Sequence, residues 1–236
     1  MSGADQPRTH LITGAGSGIG EALARVLHER GDRLLLVARS HERAADLERA
    51  FPGASCLVAD LAAPAGVERA LATTELPDRL DSVVHAAGVV DLEPVAELDR
   101  ERWQRQLDVN LTAPALLTQA ALPALRAARG TVVFVNSGAG LNAHPGWSAY
   151  AASKFGLRAL ADALRGEEQA NGLRVTTVYP GRTATSMQEK VHAQEGKEYD
   201  AGQWSDPATV AASILHVLDL PGDSVIPEVV VRPRPR

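Results

Sequence analysis

The sequence predicts an α/β fold: a doubly wound sheet of parallel strands with helices on both faces. Three observations predict it. Strand-like apolar segments alternate with helix-like segments along nearly the whole chain, an order that a parallel sheet accommodates through right-handed crossovers. One of them, Arg33 to Ala38 (R-L-L-L-V-A), is a continuous apolar run, as suits a strand buried on both faces. The first strand also runs through a glycine turn directly into a helix. At 236 residues and 45% hydrophobic content, the chain is long enough for one large domain with a sizeable core. No repeat or Ser/Gly linker interrupts it, so residues 1–236 are expected to form a single domain.

Composition narrows the function classes. A formal net charge of −5 argues against a broad nucleic-acid-binding surface. No apolar span approaches the ~18 residues a membrane helix needs. Met1 to Arg8 is polar and lacks the apolar core of a signal peptide. The single cysteine, Cys56, excludes an intramolecular disulfide and a cysteine-cluster metal site, and is expected to pack in a strand. A cytoplasmic, soluble protein is the expectation.

Thr9 to Thr13 is the first strand. It enters Gly14-Ala15-Gly16-Ser17-Gly18-Ile19-Gly20, and Glu21 to Arg30 then carries Leu23, Val26 and Leu27 at helical spacing. This order makes a phosphate site: glycines let backbone approach a pyrophosphate, and the helix N-terminus offers free N–H groups and positive dipole. The spacing Thr13-Gly14-x-x-x-Gly18-x-Gly20 differs from the usual Gly-x-Gly-x-x-Gly, and a plain strand-to-helix turn is the alternative. At the end of the second strand, where an acidic residue would hold an adenosine ribose 2′-OH, stand Ala38, Arg39 and Ser40; Asp32 lies at the wrong end. Arg39 suits a 2′-phosphate through its forked donors and permanent charge, or else is a solvated arginine opening the next helix.

His41 to Ala50 reads as a charged surface helix ended by Pro52 and Gly53. Ser55 to Val58 is a third strand closed by Asp60, which lies at the ligand edge of the sheet or caps the next helix. Pro64 to Thr74 is that helix, with Val67 and Leu71 inward. Ser82 to His85 is a fourth strand leading into Ala86-Ala87-Gly88, where small residues let backbone approach a flat ring. His85 fits a packed, hydrogen-bonded histidine better than a catalytic one.

Arg100 to Ala127 is a long helical region with an apolar stripe of Trp103, Leu107, Leu111 and Leu117, in which Pro114 and Pro123 predict kinks or a break. Asn110 is a poor helix-interior residue. It marks a capped or kinked turn, or a functional amide holding a water. Thr131 to Asn136 is a fifth strand, Tyr150 to Gln169 a helix, and Arg174 to Tyr179 a sixth strand ending in Pro180-Gly181. Arg182 to Ser205 is polar and poorly periodic, a long loop of the kind that forms lids. Asp206-Pro207 opens a last helix and Val225 to Val231 is a last strand. The tail Arg232-Pro-Arg-Pro-Arg is expected to be a solvated end.

The chemistry concentrates between Ser137 and Lys154. Tyr150 and Lys154 are four apart, so on a helix they share one face. A free phenol has a pKa of about 10, and a fixed cation lowers it by favouring the phenolate. The pair then becomes a usable proton donor and acceptor. Ser137, at the end of a strand, can hold a substrate oxygen from the opposite side. A Tyr-x-x-x-Lys is also a common surface pair, and the glycine turn upstream is what argues for catalysis.

Together, the glycine turn, Asn110, Ser137 and Tyr150-x-x-x-Lys154, in that order, resemble the short-chain dehydrogenase/reductase family over nearly the whole chain. The resemblance implies a Rossmann-like sheet of about seven strands, a nicotinamide cofactor, no metal, and a tetrad of Asn110, Ser137, Tyr150 and Lys154. It implies cofactor contacts at Thr13, Gly14, Gly16, Ser17, Gly18, Ile19 and Gly20, at Asp60 and Leu61, at Ala87 and Gly88, and at Pro180, Gly181, Thr183 and Thr185, besides Arg39, Asn110, Tyr150 and Lys154. One departure is His85-Ala86-Ala87-Gly88, where the family usually has Asn-Asn-Ala-Gly.

The activity implied is interconversion of a carbonyl and a secondary alcohol, and Arg39 at the end of the second strand makes NADP(H) the expected cofactor over NAD(H). Tyr150 gives or takes the proton, Ser137 holds the oxygen, Lys154 tunes Tyr150, and Asn110 holds a water that relays protons to Lys154. The partner is a small-molecule carbonyl or alcohol, with neither nucleic acid nor membrane involved. A homodimer or homotetramer is expected, and the stripe of Trp103, Leu107 and Leu111 could serve that interface or the core. Leu141, Asn142, His144, Trp147, Met187 and Tyr199 are expected to shape the substrate cleft, though His144 and Trp147 could equally be packing. A small ketone, a 3-oxoacyl thioester, a 3-hydroxy acid or a polyketide intermediate would fit. The alternative on the same fold is a dinucleotide-sensing or scaffold protein.

Overall fold

In the computed structural model, which describes residues 6–234, seven strands pair in parallel into one sheet. They are β1 (Thr9–Thr13), β2 (Arg33–Ala38), β3 (Ser55–Val58), β4 (Ser82–His85), β5 (Thr131–Val135), β6 (Arg174–Pro180) and β7 (Glu228–Val231). Their order is β3-β2-β1-β4-β5-β6-β7. The chain winds outward from β1 to β3, returns to β4, and winds the other way to β7. The strand order therefore reverses between β1 and β4, and the crevice outside the carboxyl ends of such strands is where ligands bind.

The continuous apolar runs are explained by burial on both faces. Side chains alternate across a strand, so Leu11 and Val83 face one core while Ile12 and Val84 face the other. The first core is closed by α3 (Pro64–Thr73), α5 (Ala113–Ala128) and α6 (Ser148–Glu168), through side chains such as Val67, Leu117 and Leu157. The second is closed by α1 (Gly18–Glu29), α2 (His41–Ala50) and α8 (Pro207–Leu218), through Leu23, Leu47 and Ile214. Fully burying one such side chain stabilises the fold by about 1.5–3 kcal/mol. Among the described residues no helix is long and apolar enough to cross a membrane.

Several expected boundaries move. α1 begins at Gly18, inside the glycine turn. The region Arg100 to Ala127 changes its winding around Asn110, as the kinked-turn reading of that residue expects, and breaks at neither proline: α4 (Arg100–Leu107) passes through a π turn, Asp108–Thr112, into α5. Pro114 sits in the first turn of α5, where no N–H is needed, and Pro123 is carried inside the helix on its exposed side. The expected loop Arg182 to Ser205 contains a helix, α7 (Ser186–Gln194), capped by Thr185 Oγ1, which accepts from Gln188 N–H at 3.3 Å. β7 starts only at Glu228, because Pro227 has no N–H for the ladder. Of the terminal segments, residues 1–5 and 235–236 lie outside the described residues.

His85 takes a packing role. Its ring stacks on Phe134 at 5.0 Å between centroids, and Nε2 pairs with Thr118 Oγ1 at 2.8 Å. Burial holds its pKa down at about 3. In the unfolded chain it titrates near 6.5, so between about pH 6.5 and pH 3 the unfolded state binds the extra proton. Stability is therefore present above the unfolded value and is lost as pH falls, at about 1.4 kcal/mol per pH unit for this one group. His85→Asn is expected to flatten the acid limb by that slope. Denaturant unfolding at several pH values between 6 and 4 checks it, and equal slopes in the two proteins would return His85 to a titration-neutral role.

Candidate active site

The glycine turn is shaped for a phosphate. Gly14 (φ +76°) and Gly18 (φ +58°) take conformations that side chains disfavour. A Cβ on Gly14 would stand 2.7 Å from Ala87 N, so only glycine lets the turn meet the chain after β4. Ser17 precedes α1 without capping it through its side chain, leaving first-turn N–H groups for an anion. Thr185 closes the turn from above, its methyl 3.1 Å from where a Cβ of Gly18 would be. These residues fit a dinucleotide pyrophosphate.

The cleft, about 1090 Å³, extends from this turn in both directions. Toward β2 and β3 it is lined by Arg39, Ser40, Asp60 and Leu61. Asp60 is not the cap of α3; its Oδ1 accepts from Ala62 N–H at 3.0 Å, which shapes the turn and leaves the carboxylate on the cleft. Toward β5 and β6 the lining includes Ala87, Gly88, Ser137, Tyr150 and Lys154, then Pro180, Gly181, Thr183 and Thr185.

The strand end at β5 and the helix α6 are locked together by Asn136. Its Oδ1 accepts from Ser137 N–H at 2.8 Å and its Nδ2 donates to Lys154 C=O at 3.0 Å. The Ser137 hydroxyl accepts from Ala139 N–H at 3.1 Å, and Ser137 and Tyr150 both line the cleft. Lys154 Nζ donates to Val135 C=O at 3.0 Å and lies 5.7 Å from the centre of the Tyr150 ring. Ser137, Tyr150 and Lys154 therefore meet on one wall of the cleft.

Burial is the first cause acting on both members of the Tyr150–Lys154 pair. Burial raises the Tyr150 phenol, and the Ser137 hydrogen bond opposes it. Burial also lowers the Lys154 ammonium to about 8. The Lys154 ammonium, held by the Val135 carbonyl, stands over the phenol ring and is itself desolvated.

The family model described as short chain dehydrogenase matches residues 8–196. The chain belongs to the short-chain dehydrogenase family. It is 34% identical over 234 residues to glycine betaine reductase ATRR of Emericella nidulans, covering 95% of this chain but only 18% of that much longer protein. To the uncharacterized oxidoreductase Lin0452 of Listeria innocua it is 29% identical, with 94% of this chain and 95% of that one covered. The structure of an alcohol dehydrogenase from the archaeon Thermococcus sibiricus, complexed with 5-hydroxy-NADP, superposes with a TM-score of 0.83 at 26% identity over 98% of this chain and all of that one.

Within this short-chain dehydrogenase three expected site residues stand behind the cleft wall. Thr13 Oγ1 accepts from Ala87 N–H at 3.0 Å and so ties β1 to the chain after β4. Gly20 packs on Gly14 C=O, where a Cβ would collide with that oxygen. The Asn110 amide is committed: it brackets Val89 with two 2.9 Å bonds, to its N–H and its C=O, and donates to Ser153 Oγ at 3.0 Å. The Asn110 side chain thus holds backbone in place, and a water would have to be held by other groups of the π turn, a local structure common at functional sites. Of the expected substrate residues, Asn142, His144, Trp147 and Met187 line the cleft and Leu141 does not. Tyr199 packs instead on His192, 5.3 Å between ring centres.

Three further residues line the cleft beyond those expected. Asn136 carries a signal in the sequence, a polar residue closing an apolar run. Arg43, one turn after Arg39, lays its guanidinium on the glycine turn, with Nη2 donating to Gly16 C=O at 2.8 Å and Nη1 to Asp46 at 3.2 Å. Arg232, in the tail expected to be solvated, lines the cleft with Pro233. Among the described residues no three His, Cys, Asp or Glu side chains gather as a metal site.

Proposed function

We propose that this chain is an NADP(H)-dependent oxidoreductase that interconverts a carbonyl group and a secondary alcohol, with Tyr150 as the proton donor and acceptor. The observation that carries this reading is the meeting of Ser137, Tyr150 and Lys154 on the wall of the cleft that the glycine turn opens. When bound, the nicotinamide cofactor supplies or accepts the hydride. The chain itself does the rest. The Ser137 oxygen already accepts from Ala139 N–H, so its own O–H is free to turn from the phenol to a substrate oxygen. Tyr150 Oη passes its proton to that oxygen as charge develops on it, inside a buried site where such hydrogen bonds count most. The Lys154 ammonium offers the ribose of the cofactor a donor and keeps positive charge near the phenol. Gly88, whose Cβ would stand 3.8 Å from Lys154 Nζ, leaves room for the cofactor there.

The second reading, a dinucleotide sensor or scaffold, separates cleanly by experiment. NADPH oxidation with a panel of small ketones, oxo acids and oxo esters tests both. Turnover that disappears in Tyr150→Phe supports the enzyme, and NADPH binding without turnover on any member favours the sensor. The enzyme is proposed to work in the cytoplasm on small molecules as a homo-oligomer, using the half-buried Trp103, Leu107 and Leu111 together with Phe155, which is 42% exposed on α6.

The cofactor preference rests on arginines at the β2 end. Arg39 lines the cleft, Arg43 leans over the turn beside it, and no carboxylate closes the strand. A charge-assisted contact to a 2′-phosphate is worth about 1.5–3 kcal/mol, or about one to two decades of discrimination. Wild type is expected to favour NADPH over NADH in kcat/KM, and Arg39→Ala to lose about tenfold of that preference. Equal efficiency with both cofactors in wild type would defeat the assignment.

A further inference from the structure

The last strand carries a cation back to the reacting end of the cleft. β5, β6 and β7 are neighbours, so Ser137, Gly181 and Arg232 follow three consecutive strand ends. Strands lie about 4.8 Å apart, so the backbone of Arg232 is two strands, about 10 Å, from that of Ser137. Its side chain closes that gap. Nη1 donates to Tyr179 C=O at 3.2 Å, and both terminal nitrogens lie 3.5 Å from where a Cβ of Gly138 would stand. The guanidinium thus reaches across the end of β6 and lies against the loop that begins at Ser137.

The backbone beneath it is fixed. Val231 C=O accepts from Gly181 N–H at 2.6 Å, and Pro233 Cδ lies 2.8 Å from where a Cβ of Gly181 would be. Any side chain at 181 would push this segment away.

Charge at this end of the cleft is one-sided. The carboxylates that line the cleft, Glu42, Asp46 and Asp60, all lie at its β2–β3 end. The other arginines near the reacting end have acidic neighbours: Arg182 makes two bonds to Glu195, at 2.7 and 2.9 Å, and Arg105 lies 3.9 Å from Asp91. Among the described residues Arg232 has no carboxylate within ion-pair distance, and the Tyr179 carbonyl is its hydrogen-bond partner. One edge of its fork therefore remains for an anion in the cleft.

We propose that Arg232 binds the carboxylate of the substrate, so that the compounds this chain takes are small oxo acids and the corresponding hydroxy acids. A planar guanidinium with a free edge matches a carboxylate, and a short acid places its carboxylate a few bonds from the carbonyl that Ser137 and Tyr150 would hold. This rests on the carbonyl-reductase reading above, which supplies the position of the carbonyl oxygen. Arg232 is exposed, so the contact is screened by salt and its effect falls at the lower end for charge-assisted bonds.

The test compares matched acids and esters, acetoacetate with methyl acetoacetate and pyruvate with methyl pyruvate, at low ionic strength. Wild type is expected to favour the acid of at least one pair by about tenfold in kcat/KM, most of it in KM. Arg232→Met, which keeps the length of the stem, should bring that ratio to near unity, and Arg232→Lys should restore part of it. A second readout needs no turnover: calorimetry of the protein saturated with NADP+ against butanoate and butanamide. Wild type should bind butanoate the more tightly, and Arg232→Met should not distinguish the two. A wild type without preference in calorimetry, or an Arg232→Met that keeps it, overturns the proposal. If calorimetry shows the preference while no carbonyl compound is turned over, Arg232 keeps its role and the carbonyl-reductase reading fails instead.

Discussion

Tyr150→Phe should lower kcat by about a hundred- to ten-thousandfold, the range typical of a lost general acid–base group. The substitution changes little else. Tyr150 is 6% exposed and its ring meets Trp147 edge-on, 5.8 Å between centres at 64°. Phenylalanine preserves that packing and removes only the hydroxyl, whose pKa Ser137 lowers. The lost group acts on the developing alkoxide, so the deficit should appear in kcat and kcat/KM together, while cofactor affinity is nearly unchanged. Stopped-flow hydride transfer with saturating NADPH, alongside a fluorescence titration of the cofactor, measures both. A variant that kept more than about a tenth of the wild-type rate would exclude Tyr150 as the proton donor, since general acid–base groups contribute far more than that.

The parts of this fold that sequence makes legible are those whose signal is local. A strand buried on both faces must be apolar throughout, so β1, β2, β4 and β5 appear directly as runs. Glycines at Gly14 and Gly18 answer a backbone requirement that only glycine meets. α7 was missed because its apolar periodicity is weak. Its signal was a cap: Thr185 and Gln188 stand three apart, a spacing that marks a helix start, and Thr185 Oγ1 accepts from Gln188 N–H. The kinked turn at Asn110 is one of the two readings its poor helix propensity allows, and the prolines do not break the helix, because a proline in the first turn or on a solvated face costs little locally, whereas Asn110 is drawn away by Val89 across the fold. Arg232 shows what sequence cannot carry. Its reach to Gly138 depends on β7 pairing beside β6, a contact between residues far apart in the chain.

Lys154→Ala should reduce kcat/KM by about a hundredfold or more, the scale of removing one preorganised electrostatic group, and weaken cofactor binding as well. Three losses follow from one substitution. The positive charge beside the phenol disappears, which leaves burial opposed only by Ser137, so the phenol stays raised. The donor proposed for the cofactor ribose disappears. The buried Val135 carbonyl loses the ammonium it accepts from at 3.0 Å, an unsatisfied group that costs about 1–3 kcal/mol of stability. The pH dependence isolates the charge from the packing. Burial holds the Lys154 ammonium at about 8, so it is present below that pH and lost as pH rises through it. Since kcat/KM reports the free enzyme, wild type should show a limb near pH 8. Lys154→Ala should lack that limb, and Lys154→Arg, whose charge does not titrate, should lack it too while recovering part of the rate. Melting temperatures of the variants show how far stability contributes. A Lys154→Ala enzyme that kept both the limb and the wild-type cofactor dissociation constant would remove Lys154 from the site and leave the phenol to be tuned by Ser137 alone.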